Sequence, residues 1–116
     1  MKEGNIFFKF AVPKEVRFAA RSWDPAADIY DASDGWLIKI ELPGISRDDF
    51  EISIKDKKLY LSGVRRDKTS CREGLVPRQV EITYSRFEKT FFFPDEIEES
   101  KVEYQDGFLY IYVKRH

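Results

Sequence analysis

The sequence predicts an all-β protein that folds as one antiparallel β-sandwich. After Trp23, runs of β-branched and aromatic residues recur at short, regular spacing, and Gly, Pro, Asp or Ser bounds each run. Apolar and polar side chains alternate within these runs, as in strands that bury one face. No window shows a convincing helical period. Two stacked sheets therefore offer the packing that buries the apolar faces.

Seven strands are predicted, and alternation assigns an inward face to most of them. The strands are expected near 27–32, 35–42, 49–56, 58–65, 79–93, 101–105 and 108–115. The expected inward residues are Ile38, Ile40 and Leu42; Phe50, Ile52 and Ile54; Leu59 and Leu61; and Leu109, Ile111 and Val113.

The connections between strands have recognisable turn chemistry. Asp106 and Gly107 are a pair that tolerates positive φ in a hairpin, and 56–58 is a tight polar connection. The stretches 46–49 (SRDD) and 94–100 (PDEIEES) predict single helical turns, because a Ser or a Pro opens each.

Two segments do not fit the sandwich. Residues 1–22 carry several Phe residues between charges, so we expect a short, mobile N-terminal arm before a domain that spans 23–116. Residues 66–78 (RDKTSCREGLVPR) form a charged excursion where a short turn would suffice. A loop of that length in a compact domain is usually functional or mobile.

Composition excludes several function classes. Twenty Lys and Arg against 21 Asp and Glu give a net charge of -1, which provides no bulk field to attract nucleic acid or an anionic membrane. The longest uncharged apolar runs are too short to span a bilayer.

A lone Cys71 and the absence of a signal-like opening are typical of a reducing cytoplasm. Cys71 is interpreted as an ordinary exposed thiol, although Arg65, Arg66, Lys68 and Arg72 nearby would favour a lowered thiol pKa.

The sequence shows no recognisable arrangement of catalytic residues. The single histidine, His116, is the last residue. One Cys and one His are too few for a metal cluster of the usual spacing, and a terminal His is not held in place for a Cys/His catalytic dyad. The acidic neighbours at 48–49 and 98–99 fall in predicted turns, where solvation explains them. There is no Gly-rich phosphate loop. We expect no enzyme activity, no metal, no cofactor and no use of ATP.

Three stretches in one order carry a family resemblance: 27–44 (ADIYDASDGWLIKIELPG), 87–94 (FEKTFFFP) and 102–109 (VEYQDGFL). Together with 59–63 (LYLSG), they resemble the small heat-shock protein family, whose shared module is the immunoglobulin-like α-crystallin domain. The resemblance covers residues 23–115.

The sequence departs from the family pattern at several points. Lys89 replaces an Arg and loses a planar fork of donors, while Phe93 and Val102 replace smaller residues and alter the local packing. Many members carry an Ile/Val-x-Ile/Val motif after the last strand. Here Ile111 and Val113 have that spacing but lie inside a predicted strand, so the size of the oligomer stays open.

The resemblance implies an ATP-independent chaperone, a holdase that keeps partly unfolded proteins from aggregating under heat or other stress. In the family, an edge groove lies between the strands at 49–56 and 101–105. Its position here assigns four lining residues, for which a plain core role is the alternative. These client-groove residues are Ile52, Ile54, Val102 and Tyr104.

The resemblance also implies a partner of the same kind. In bacterial and plant members, a loop at the place of 66–78 pairs with the sheet of a second subunit, so we expect a homodimer or a larger oligomer. Leu75 and Val76 would be its buried pair, whereas Pro77 restricts any strand there to an edge.

The last strand is apolar on both faces. We expect Tyr110 and Tyr112 to lie beside Leu37 and Lys39 on the outer face. An aromatic ladder that stiffens the sheet is one interpretation. The other is a contact strip, covered by a client or by the arm residues Phe7, Phe8, Phe10 and Phe18.

Two other function classes remain as alternatives. A β-sandwich co-chaperone module that docks on a larger ATP-driven chaperone would lack the loop at 66–78 and would carry an acidic tail. An enzyme on a β-sandwich would need convergent polar residues, which the sequence does not supply.

Overall fold

The computed structural model describes residues 23–71 and 73–116, and within them the chain forms seven antiparallel strands in two sheets. This confirms the predicted fold class. Sheet A has the order β1-β2-β7-β6, and sheet B has the order β3-β4-β5. The strands are β1 (Ala27–Ala32), β2 (Gly35–Glu41), β3 (Phe50–Lys55), β4 (Lys58–Val64), β5 (Arg86–Phe92), β6 (Ile97–Gln105) and β7 (Phe108–Arg115).

Tight turns set the register of both hairpins that were expected from sequence. Asp106 and Gly107 have φ values of 56° and 86°, the left-handed pair that joins two strands with the native twist. Asp56, at φ 58°, opens the turn between β3 and β4. The predicted helical turn after Ser46 is also present, as a 3-10 turn at Arg47–Asp49. A second 3-10 turn, at Lys68–Cys71, was not predicted.

The core lies between the inner faces of the two sheets. Leu59 and Leu61 of sheet B meet the central strands β2 and β7 of sheet A, and all of these inward residues are buried. Alternation therefore assigned the inward faces correctly. Phe50, Ile52 and Ile54 also face the core but are only half-buried, because β3 is an edge strand.

The strand predicted at 79–93 is wrong over its first half, since β5 begins at Arg86. The backbone amide of Arg65 donates to the Ser85 carbonyl. Beyond that bond, the segment after β4 and the segment before β5 no longer pair. The Arg65 side chain, rather than a ladder amide, then satisfies the Thr83 carbonyl through its Nε and Nη2 atoms. A side-chain partner has replaced strand pairing.

The helical turn predicted at 94–100 is also wrong, and the strand predicted at 101–105 is longer than expected. After Pro94 there is a short bend, and β6 already begins at Ile97, which is buried. Pairing with β7 satisfies this stretch of backbone, and a register shift between Glu99 and Lys101 accommodates one extra residue. Tertiary pairing overrides the local preference that Pro94 creates.

The inward and outward faces of β7 give a stability test. We expect Ile111→Ala to lower the free energy of unfolding by about 2–5 kcal/mol, because it leaves a cavity at a fully buried position. Tyr112→Ala, on the outer face of the same strand, serves as the matched control and should cost about 1 kcal/mol. Urea unfolding measures both, and equal losses would contradict the assigned faces.

Candidate functional site

One side of the sandwich is an open edge, where the last strand of each sheet comes into contact with the other. β3 ends sheet B and β6 ends sheet A on this side. Val102 and Tyr104 pair with the inward residues Ile111 and Leu109, so they face the interior as Ile52 and Ile54 do. The structure thus brings the four predicted groove residues together between the two edge strands. Val102 is 36% exposed, so this part of the groove is open to solvent.

The side chain of Tyr104 is fixed by a hydrogen bond, and backbone polar groups of β3 and β6 lie along the two sides of the groove. The Tyr104 hydroxyl donates to the Leu42 carbonyl at 2.6 Å, which anchors the ring while its apolar face lines the groove. Within the described residues, β3 pairs only with β4 and β6 pairs only with β7. On this side both strands therefore have amides and carbonyls without a strand partner, beside apolar side chains. The Ile97 amide, at the start of β6, is an exception and donates to the Asp56 carbonyl at 3.1 Å. Such an edge is a template for an added strand.

The loop between β4 and β5, residues 65–85, is a second apolar surface. Leu75 is 42% exposed, Val76 is 82% exposed and Ile82 is 58% exposed. The loop surrounds an open cavity of about 350 Å³, whose lining includes Leu75, Val76, Pro77, Val80, Ile82 and Tyr84. Neither Leu75 nor Val76 lies in a strand of the described chain. Their exposure fits a pairing partner outside the chain, and that pairing stays a prediction.

Arg65 holds the base of this loop. Its Nε and Nη2 atoms donate to the Thr83 carbonyl at 3.0 and 2.6 Å, and its Nη1 atom donates to the Pro43 carbonyl at 3.1 Å. The guanidinium also stacks over the Trp23 ring, 3.8 Å from its centroid. One side chain therefore joins both ends of the loop, the turn after β2 and the point where the arm enters.

Burial lowers the pKa of Arg65, and the nearby Tyr84 opposes that shift. An arginine remains charged in a protein, so the cation here depends on carbonyl oxygens and ring faces to replace water. Sequence reasoning considered Arg65 only as a charge near Cys71 and missed this role. Its partners are distant in the chain, and no local pattern indicates them. The side chain of Cys71 lies outside the described residues.

The outer face of sheet A carries the aromatic strip predicted from the last strand. Tyr112 pairs with Leu37 and Tyr110 pairs with Lys39, which confirms the predicted neighbours. Lys39 Nζ lies 4.5 Å from the Phe108 ring centroid, and Lys101 Nζ lies 5.9 Å from that of Tyr112. Lysine stems of the same sheet thus cover part of the strip, and the rings are half-buried.

The arm residues Phe7, Phe8, Phe10 and Phe18 lie outside the described residues, and their contact with the strip stays a prediction. Over residues 23–71 and 73–116, no helix has the length and apolar character needed to cross a lipid bilayer.

Comparison with known proteins gives one consistent family. Residues 28–116 match the family model described as Hsp20/alpha crystallin family. The chain is 25% identical over 113 residues to small heat shock protein C2 of Rickettsia felis, covering 96% of this chain and 71% of that protein. It spans only 55–64% of the length of four further relatives, which come from fission yeast and plants.

Solved structures share the fold. Heat shock protein 16.0 from Schizosaccharomyces pombe superposes with a TM-score of 0.73 at 20% identity, over 81% of this chain and 88% of that chain. A small heat-shock protein from Xylella fastidiosa, described as having a distinct high order structure, gives a TM-score of 0.66 at 24% identity, over 83% of this chain and 90% of that chain.

The role of Arg65 can be tested by a conservative change. Arg65→Lys keeps the charge but loses the planar fork, so we expect the stretch 66–85 to be cut about tenfold faster in limited proteolysis. The free energy of unfolding should fall by about 1–3 kcal/mol. Arg66→Lys is the matched control, because its exposed ion pair with Asp49 contributes less than about 1 kcal/mol. Equal cleavage rates in the two variants would show that Arg65 does not hold the loop.

Proposed function

This chain belongs to the Hsp20/alpha crystallin family, and on that premise we propose that it is an ATP-independent holdase. Family membership supports a chaperone role in general. The proposed activity is the binding of partly unfolded proteins, which prevents their aggregation under heat or other stress. The single observation that supports it most is the open edge between β3 and β6, where unpaired backbone lies beside the apolar residues Ile52, Ile54, Val102 and Tyr104.

The chemistry of this edge complements that of a partly unfolded protein. Such clients expose apolar segments together with unpaired strand edges. An extended client segment would add its backbone hydrogen bonds to β3 or β6 and place alternate side chains in the groove. Backbone pairing is independent of sequence, which suits a chaperone that meets many clients. Binding of this kind is an equilibrium and needs no nucleotide.

We also propose that the chain forms a homodimer through the loop at 65–85. The other edge of sheet A, β1, is unpaired within the described chain, and its residues Ile29 and Tyr30 are about half exposed. A loop that carries Leu75 and Val76 from each subunit to β1 of the other would cover both apolar surfaces in a two-fold exchange. The high order structure described for the Xylella fastidiosa relative supports self-association in general.

We also propose a cytoplasmic location. The chain has one cysteine, and a lone cysteine is typical of proteins from reducing compartments.

Light scattering from a heat-aggregating client tests the holdase proposal. The full chain at equal mass, in buffer without ATP, should suppress the rise in scattering. Val102→Asp should weaken suppression, with a roughly tenfold loss of client affinity, because it places an unpaired charge in the groove. Lys101→Asp puts the same side chain on the outer face of β6 and should act like the parent protein.

If both variants suppressed client aggregation equally well, the groove would not be the client-binding surface. The absence of suppression by the parent protein would contradict the holdase proposal and favour a co-chaperone that needs a larger partner.

The proposed dimer is tested by mass in solution. The double variant Leu75→Asp, Val76→Asp should have half the mass of the parent dimer in sedimentation, because two charges would be buried at the exchange contact. Arg78→Asp changes an exposed residue of the same loop and should leave the mass unaltered. A parent and a double variant of equal mass would refute the loop exchange.

A further inference from the structure

The outer face of sheet B, here called the B face, has its charges arranged in rows across the three strands. The register of β3, β4 and β5 places their outward residues side by side, and nearly all of these side chains are exposed. The first row is basic and aromatic, the second is neutral and the third is acidic. In that order the rows are Lys55, Lys58 and Phe92; Ser53, Tyr60 and Thr90; and Glu51, Ser62 and Glu88. Beyond the third row, the exposed Arg86 lies opposite Val64 and adds one cation after the acidic row.

These charges are not neutralised within the sheet. Lys55 and Lys58 are directly opposite each other, an arrangement that destabilises a strand pair. Neither lysine, nor Glu51 or Glu88, has an ion pair with another described residue, and Lys58 Nζ lies 5.6 Å from the centroid of the Phe92 ring. The B face therefore holds a basic row and an acidic row, separated by the row of Tyr60, with Arg86 beyond the acidic row.

The outer face of sheet A shows the opposite arrangement. There Lys101 and Glu103 form an ion pair at 3.1 Å, Lys114 is directly opposite Glu98, and Lys39 lies between two rings. Cations and anions alternate, so that face balances its own charge. The separation of cations from anions on the B face is therefore not a general feature of this sandwich. A partner with a complementary charge pattern would neutralise it.

The B face also carries two exposed rings, Tyr60 in its middle row and Phe92 at the end of its basic row. Phe92 is 69% exposed, the most exposed aromatic side chain that faces outward from either sheet in the described chain, and Tyr60 is 37% exposed. The other residues of the middle row, Ser53 and Thr90, are small. A flat face with two rings and small neighbours can approach another flat face closely, as stacked sheets do at about 10 Å.

We propose that the B face binds the B face of a second copy of this chain, about a two-fold axis that lies in the contact plane and crosses the strands at the row of Tyr60. This axis places Lys55 over the partner's Glu51, and Lys58 between the partner's Glu51 and the partner's Glu88. Tyr60 packs on the partner's Tyr60. The other simple choice, an axis parallel to the strands, would place lysine on lysine. Charge therefore fixes the strands of the two faces as antiparallel.

This contact differs from the loop exchange and from the client groove. It uses the outside of sheet B, so both β1 and the open edge between β3 and β6 remain accessible. Three short strands bury less than about 1,200 Å² in total, the range of weak and transient interfaces. The attraction is electrostatic and exposed at its rim, so it weakens as salt rises. The contact joins exchange dimers into larger assemblies and does not depend on the holdase activity.

Paired charge reversals test the proposal in the full chain. Sedimentation at protein concentrations up to about 1 mM should show self-association at about 0.05 M NaCl that weakens at least tenfold at about 0.5 M. K55E/K58E leaves Arg86 as the one cation among the outward strand residues of the B face, and E51K/E88K makes all the charged residues of its strands basic. Each variant alone should associate at least about tenfold more weakly than the parent at low salt, because like charges would face each other.

A mixture of the two variants should associate again, at least as strongly as the parent, since one face is then basic and the other acidic. The matched control K101E/K114E makes the same charge change on the outer face of sheet A and should associate like the parent. Thermal unfolding checks that each variant is folded.

Three results would overturn the proposal: a parent whose association does not fall with salt, a control that is weakened as much as K55E/K58E, or a mixture that fails to associate beyond its components.

Discussion

The structure depends on the contact between the inner faces of two small sheets. Leu59 and Leu61 of sheet B pack against the fully buried residues of β2 and β7, such as Ile38 and Ile111, and no other apolar layer within the described residues is as completely buried. Burial of this kind is the main driving force for a domain of this size. The central strands β2, β7 and β4 are paired on both sides, and β1, β3, β5 and β6 are the edges of the two sheets within the described residues. Open edges are a hazard in most β proteins, and here they are the surfaces on which the proposed functions depend.

The same arrangement separates the surfaces from one another. The groove between β3 and β6, the β1 edge and the outer face of sheet B are different surfaces of the sandwich, so the proposed client, exchange partner and further copy would not compete for one surface. Arg65 connects two other regions, because its guanidinium contacts the loop at Thr83 and stacks on Trp23.

Much of this fold could be predicted from sequence because alternation is a direct physical signal of one buried face. It assigned the inward residues of β2, β4 and β7, and the resemblance assigned a groove to the edge where β3 and β6 lie close together. The errors have physical causes. At 79–85 a side chain from Arg65 takes the place of a strand partner, and at 97–100 pairing with β7 overrides the signal from Pro94. The Arg65 contacts and the charged rows of sheet B depend on register and tertiary contact, which single-sequence patterns do not contain.

The central claim is that clients are held by strand addition at the edge between β3 and β6. Hydrogen exchange of the full chain, measured with and without a heat-destabilised client, tests it most directly. The account predicts slower exchange of backbone amides in Phe50–Lys55 and Ile97–Gln105, since an added strand pairs with those edges. The already paired central strands β2 and β7 should change little. Protection confined to residues outside these two strands, with none at the edge, would contradict the claim.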